Sequence, residues 1–344
     1  MTNYEKICLK SKELDAKKQR AVLKYIDELS KNDTDTDNSE PSEQLAEPEP
    51  LKPCPHCHTD NVKKAGFERG KQRFQCKDCL KHYVTTTGTI MKNSHYGADV
   101  WEAVTADTLA ENVSLDKTAE KTGISHSTAF NMRHKILLSL KAEKEKEPTK
   151  MGGISELDET YVLECEKGKK FPEDAPRKPR KHGAVASKRG ISDEQICIMT
   201  GAQRGGAVYA ETVNRAHPSI EEIKSVFKGH IAPGTVAFTD GLKGYKCLET
   251  EVDCVIESVP NEVQKRTGTA NLNNVNGFHS HIQSAYRHYR GVATKYLNRY
   301  NALFQAVYKN GRPISELVKS VLAFDVTGSL FTNLSVQNSG LLCI

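Results

Sequence analysis

Hydrophobic positions along the chain change period several times, and each change marks a new kind of element. Leu14, Val22, Leu23, Ile26 and Leu29 recur at helical spacing with charges between them, which predicts an amphipathic helix within residues 1–31. The period vanishes over 32–51, where acidic residues, Pro and Ser predict a flexible linker. Helical spacing returns from Tyr96 to Lys141. Within it, Ser114 caps one helix, Gly123 makes a turn, and Ser125-His126-Ser127 opens a second helix that runs through Arg133 and Lys135. From Gly152 the pattern becomes strand-like, with Ile154, Leu157, Tyr161 and Val162 framing Asp158 and Glu159. Further strands are predicted over 196–200, 207–212, 235–240 and 252–258, with a helix over 220–227. Asn276 then opens a long helical stretch carrying Ile282, Tyr286, Tyr289, Tyr296, Leu297 and Tyr300.

Cysteine spacing changes the picture for 52–90, which has too little apolar content for a core of its own. Cys54 and Cys57 form one CxxC pair and Cys76 and Cys79 a second, 18 residues apart. Four thiolates so arranged suit a tetrahedral structural zinc, with Phe74 and Tyr83 available to cover the site. The other six cysteines are scattered, mostly in apolar runs, and are read as reduced core residues. The mean hydropathy of −0.58, no membrane-length apolar run and no signal-peptide layout at Met1-Thr2-Asn3-Tyr4-Glu5 predict a cytoplasmic protein.

Charge sharpens the partner class. The total is +5, but seven acidic residues and no Lys or Arg fall between Asn32 and Leu51, leaving +12 on the remainder. A surplus of that size favours a polyanion. Lys63, Lys64, Arg69, Lys71, Arg73, Lys77 and Lys81 interleave with aromatics in the cysteine region. Nine Lys or Arg, including Lys178, Arg180 and Lys181, fall between Lys167 and Gly190 against Glu173 and Asp174 alone. Phosphate contact is the expected use of that run. The two helices around Gly123 have the layout of a helix-turn-helix, whose second helix enters the major groove of double-stranded DNA; a plain helical hairpin shares that layout.

The order three strands, helix, strand, helix-flanked strand is that of an RNase H-like mixed sheet with flanking helices, in which the first and fourth strands are neighbours. That adjacency would bring Asp158 and Asp240 together as ligands of hard divalent cations, which activate an attacking oxygen and stabilise a leaving one on phosphorus. The expected fold class is multidomain α+β and α/β: an N-terminal helix to residue 31, an acidic linker 32–51, a zinc ribbon 52–90, a helical region with helix-turn-helix 91–150, an RNase H-like domain 151–310 and a tail 311–344.

The runs Leu157-Asp158-Glu159-Thr160-Tyr161, Thr239-Asp240-Gly241 and Val275-Asn276-Gly277-Phe278-His279-Ser280, leading to Gly291-Val292-Ala293-Thr294-Lys295-Tyr296-Leu297, resemble bacterial insertion-sequence transposases of the DDE superfamily. The nearer resemblance is to the subgroup with a zinc ribbon and Asn in the third catalytic position, with 35 residues between it and Asp240. It covers roughly 52–304. It implies that Asp158, Asp240 and Asn276 hold two Mg²⁺ or Mn²⁺ ions, and that the ribbon and helix-turn-helix bind terminal inverted repeats. It also implies that strands are cleaved and transferred by a homodimer or larger assembly at the bacterial nucleoid.

Two departures stand out: most of the superfamily has Glu in place of Asn276, and Lys or Arg in place of Gln283. Asn brings an amide oxygen without charge, and Gln283 is expected to reach a phosphate as a neutral donor. His279 is a candidate substitute ligand or acid, or a packing residue. Glu159 is expected on the opposite strand face, outside the metal set. Ser125, His126, Ser127, Arg133 and Arg287 complete the expected DNA contacts. A nuclease or resolvase on the same fold, a regulator that binds DNA without chemistry, and a zinc-bearing protein-interaction module are the rival readings.

Overall fold

The computed structural model describes residues 53–326 apart from 69, 168–172, 174–184, 260–269 and 310. The helix predicted within 1–31, the acidic linker and three of the expected DNA contacts, Lys178, Arg180 and Lys181, lie outside the described residues.

The cysteine region folds as three antiparallel strands, β1 (Val62–Glu68), β2 (Lys71–Cys76) and β3 (His82–Val84). Its core is small: Cys54, Val62, Phe74, Cys76 and Tyr83, with the Phe74 and Tyr83 rings stacked at 5.5 Å. Three helices follow: α1 (Ala98–Leu109), α2 (Leu115–Thr122) and α3 (His126–Lys146). Ser114 caps α2 through the Lys117 N–H and Ser125 caps α3 through the Thr128 N–H. Gly123, at φ 67°, ends α2 in the left-handed conformation that glycine adopts without steric cost.

The larger sheet has five strands in the order β6-β5-β4-β7-β8. They are β4 (Ile154–Leu163), β5 (Gln195–Gln203), β6 (Val208–Arg215), β7 (Val236–Thr239) and β8 (Val255–Ser258). β4 pairs antiparallel with β5 and parallel with β7, so the first and fourth strands are neighbours as expected. One face is covered by α4 (Ile220–Phe227), opened by a Ser219–Glu222 capping box, and by the short α5 (Cys247–Val252). Leu157, Met199, Phe227, Tyr245 and Leu248 fill that layer, all essentially inaccessible. The strand predicted over 252–258 is shorter than expected because α5 takes up its beginning.

The other face carries α6 (Asn273–His288) and α7 (Leu297–Val307). Its core is continuous with that of the helical region, so that Trp101, Ile136, Leu137 and Leu140 belong to the same apolar cluster as Ile198, Phe278, Leu303 and Phe304. The helical region is therefore packed onto the sheet domain. The expected tail begins with α8 (Ile314–Ala323), whose Leu317, Val318, Val321 and Leu322 are buried in this same cluster. Helical spacing at these four positions is the signal for it.

Candidate active site

Strand register assembles the acidic cluster. Leu157 lies opposite Thr239 in the parallel β4–β7 pair, so the next residues, Asp158 within β4 and Asp240 just past the end of β7, lie side by side. β7 ends at Thr239, and Asp240 sits exposed on the turn beyond it, its carboxylate accepting the Leu242 N–H at 3.1 Å. Gly241 has φ 104°, a conformation that makes a side chain there costly.

Glu159 joins them. One carboxylate oxygen from each of Asp158, Glu159 and Asp240 lies within 4.8 Å of the others. Alternation does send Glu159 toward the α4–α5 layer, where the Tyr245 hydroxyl is its neighbour. The expectation that this removes it from the set fails because β7 stops before Asp240. Past the end of β7, Asp240 comes within reach of carboxylates from both faces of β4.

Electrostatics follow from this crowding. Burial pushes the Asp158 carboxyl up to about 7, opposed by the hydrogen bond it accepts from the Glu159 N–H at 2.9 Å and reinforced by the charges of Glu159 and Asp240. Glu159 is raised by burial, opposed by the neighbouring Tyr245 hydroxyl and reinforced by the charge of Asp240, and its buried Oε1 has no partner at hydrogen-bond geometry. Three close carboxylates, one with an orphaned buried oxygen, form a donor set that a hard cation fits.

The remaining residues come from α6, which is fixed by the face of β4 that bears Asp158. Glu156, fully buried, accepts the backbone N–H groups of Asn274 and Val275 at 2.7 and 3.0 Å and the Asn274 amide at 2.9 Å. It also pairs with Arg204 at 2.8 Å, and Arg204 in turn donates to the Asn271 carbonyl. A carboxylate on the first N–H groups of a helix satisfies donors that have no intrahelical partner and opposes the helix dipole. Two residues on, Asp158 faces the His279 ring, with Nδ1 to Oδ2 at 3.8 Å. Two further on, Thr160 accepts from Gln283 at 2.9 Å. Every second strand residue thus meets the helix about once per turn, since two strand residues rise about 6.7 Å and four helical residues about 6 Å.

Asn276 is exposed in the first turn of α6, one turn before His279. Gln283 departs from expectation: its amide nitrogen donates to Thr160 Oγ1 and to the Tyr161 carbonyl at 2.8 Å, so both hydrogens are engaged with β4 and neither is available to a phosphate. Sequence reasoning misses Glu156 and Thr200. The signal for Glu156 is a carboxylate two residues before Asp158, on the same strand face.

The four cysteines converge as their spacing predicts, with Sγ atoms of Cys54 and Cys79 at 3.6 Å and of Cys57 and Cys76 at 3.5 Å. A tetrahedron with bonds of about 2.3 Å has edges of about 3.8 Å, so the cluster is compatible with a zinc ribbon.

Between the start of α3 and the end of α6 runs a groove of about 1540 Å³. Lys135, Lys167, Arg287, Arg290, Lys295 and Arg299 line it, with Asp116 as the acidic residue. His126 and Ser127 are exposed at the tip of α3, and Arg287 is exposed on α6. Arg133 is different: it is 4% exposed, and its guanidinium holds the Val113 carbonyl at 2.9 Å. It anchors the segment before α2, and the expectation that it contacts DNA is corrected on that ground.

Residues 150–308 match the ISXO2-like transposase domain. The chain is 24% identical over 275 residues to an uncharacterized protein in the transposable element ISH50 of Halobacterium salinarum, covering 78% of this chain and 90% of that protein. Distant likenesses extend to a pre-cleavage Mos1 transpososome (TM-score 0.27, 11% identity, 65% of this chain and 78% of that chain). Another is a Mos1 mariner paired end complex with Mn (TM-score 0.27, 11% identity, 67% and 79%). The sheet domain and its acidic cluster fall within the stretch that matches the transposase domain. Through residues 150–308 the chain is similar to insertion-sequence transposases. Among the described residues no helix is long and apolar enough to cross a membrane.

Proposed function

We propose that this transposase performs divalent-metal-dependent cleavage and transfer of DNA strands at an RNase H-like site made by Asp158, Asp240 and Asn276, with Glu159 as a further carboxylate. The observation that carries the reading is the convergence of Asp158, Glu159 and Asp240 across the parallel β4–β7 pair. Magnesium or manganese, when bound, lowers the pKa of the attacking oxygen and stabilises the leaving oxygen on phosphorus. The chain's part is to hold that charge and position the DNA. Asp158 supplies a carboxylate from the middle of β4 and Asp240 one from the end of the adjacent β7, Asn276 supplies a neutral amide oxygen from α6, and Glu156 fixes the helix that carries it. No side chain is required as a nucleophile.

The four cysteines hold a structural zinc in the ribbon, and α2 and α3 act as a helix-turn-helix on the terminal inverted repeats. Ser125, the α3 cap, presents His126 and Ser127 to the duplex. The basic groove beside them, with Arg287, carries phosphates by charge alone, so its contribution falls steeply with salt. Joining two element ends in one reaction calls for a homodimer or larger assembly.

The test is a strand-transfer assay with pre-cut end DNA, using Asp158→Asn and Asp240→Asn. Both variants should keep salt-dependent DNA binding and lose joining by on the order of 10³-fold or more, since each removes several kcal/mol of transition-state stabilisation. Joining at the parental rate by either variant would overturn the enzymatic reading and leave a regulator that binds DNA without cutting it.

A further inference from the structure

The surroundings of Asp158 include a nitrogen that the three assigned ligands leave unused. His279 sits on α6 between Asn276 and Gln283, and its side chain is 14% exposed. Its Nε2 lies 2.5 Å from the hydroxyl of Thr200, a fully buried residue. That hydroxyl has one hydrogen, and it is donated to the Asp158 carbonyl at 2.8 Å. Toward His279 the hydroxyl can therefore only accept, so the ring proton resides on Nε2.

Nδ1 is left with a bare lone pair directed at Asp158 Oδ2, 3.8 Å away. Two acceptors facing each other at that distance make no hydrogen bond and repel. The separation does fall within the range spanned by two ligands of one ion. At bonds of about 2.1 Å, ligands of a six-coordinate ion are about 3.0 Å apart as neighbours and about 4.2 Å apart when opposed. The arrangement is also how proteins prepare a ligating histidine: the hydrogen bond at one ring nitrogen fixes the tautomer and aims the other at the metal.

We propose that His279 Nδ1 is a direct ligand of the divalent ion bound by Asp158, on the α6 side of that carboxylate, compensating for the uncharged Asn276. The proposal rests on the metal-dependent reading above. An imidazole in an otherwise oxygen set shifts preference from magnesium toward transition ions, because nitrogen donors suit the latter better. Manganese should accordingly bind more tightly than magnesium, by a margin that depends on His279.

The experiment uses the full chain, loaded first with zinc to fill the cysteine site and then with Mn²⁺, and reads pulsed electron paramagnetic resonance of the bound manganese together with Mn²⁺ and Mg²⁺ titration by calorimetry. The expected result is a directly bound ¹⁴N signal in the parent protein that converts to ¹⁵N when only histidine is ¹⁵N-labelled. In His279→Asn the nitrogen signal should vanish while Mn²⁺ still binds, and the Mn²⁺-over-Mg²⁺ preference should fall about tenfold. The labelled parent protein decides the matter even if the variant fails to fold. Mn²⁺ bound through Asp158 and Asp240 with no histidine nitrogen signal overturns the His279 assignment and leaves the carboxylate site standing. A nitrogen signal that survives His279→Asn also overturns it. Mn²⁺ binding unaffected by Asp158→Asn and Asp240→Asn overturns the metal site itself, and the assignment with it.

Discussion

The two faces of β4 carry comparable side chains to different ends. On the side toward α6, Glu156, Asp158 and Thr160 each meet the helix, through Asn274 and Val275, His279 and Gln283 respectively. On the side toward α4 and α5, Leu157 and Tyr161 pack into an apolar layer, and Glu159 faces Tyr245 with an unpaired oxygen. The first face fixes geometry and the second supplies cohesion. One strand therefore both holds the fold together and sets where a helix 118 residues further along the chain presents its donors.

The largest effect expected on this comparison comes from removing a ligand of the carboxylate cluster to which both faces contribute. Asp158→Asn should abolish joining in the strand-transfer assay, with the folded state retained, as circular dichroism would report. Glu156→Ala comes next and strikes the helix-gripping face alone. It takes the carboxylate from Arg204 and from the first N–H groups of α6, and urea titration should show a loss of about 3–5 kcal/mol. If stability changes by less than about 1 kcal/mol, Glu156 is not the anchor of α6.

The third effect is on pH dependence. Asp158 and Glu159 are both raised in the folded chain, Asp158 up to about 7, so between the ordinary carboxylate range near pH 4 and pH 7 the folded state binds more protons than the unfolded one. Metal-free protein should then lose stability as pH rises through that window and level off above it. Excess Mg²⁺ or Mn²⁺ should flatten the slope, as thermal denaturation across pH 4–8 would show. Glu159→Gln should reduce the slope without metal, because it removes a like charge from the cluster. The smallest effect is Thr160→Val, which takes one hydrogen bond from Gln283 and should cost about 1 kcal/mol in the same denaturation assay.

Much of this site is legible in the sequence, and the part that is not has a consistent character. Asp158 and Asp240 are legible because strand order alone makes β4 and β7 neighbours, and the cysteines because their spacing carries the chemistry. Burial and hydrogen-bond partners are not legible in that way. Arg133 and Gln283 look like DNA contacts on helices, yet each is engaged with a distant backbone carbonyl, Val113 for one and Tyr161 for the other. Glu159 follows the alternation rule and still reaches Asp240, because where β7 stops is a fact about its neighbour and not about β4. The packing of the helical region onto the sheet escapes a residue-by-residue reading for the same reason: the apolar positions of α3 are mixed with polar and charged ones and form no single stripe that announces its partners.

α3 spans 21 residues, about 30 Å, with His126 and Ser127 at one end and Ile136, Leu137 and Leu140 sunk into the core shared with the sheet domain. On the proposed function, this one continuous helix would act as a caliper between the part that reads a sequence and the part that cuts. The spacing between a recognised motif and its scissile bond would then be dictated by protein geometry, and element ends with that spacing altered by even a few base pairs would be poor substrates.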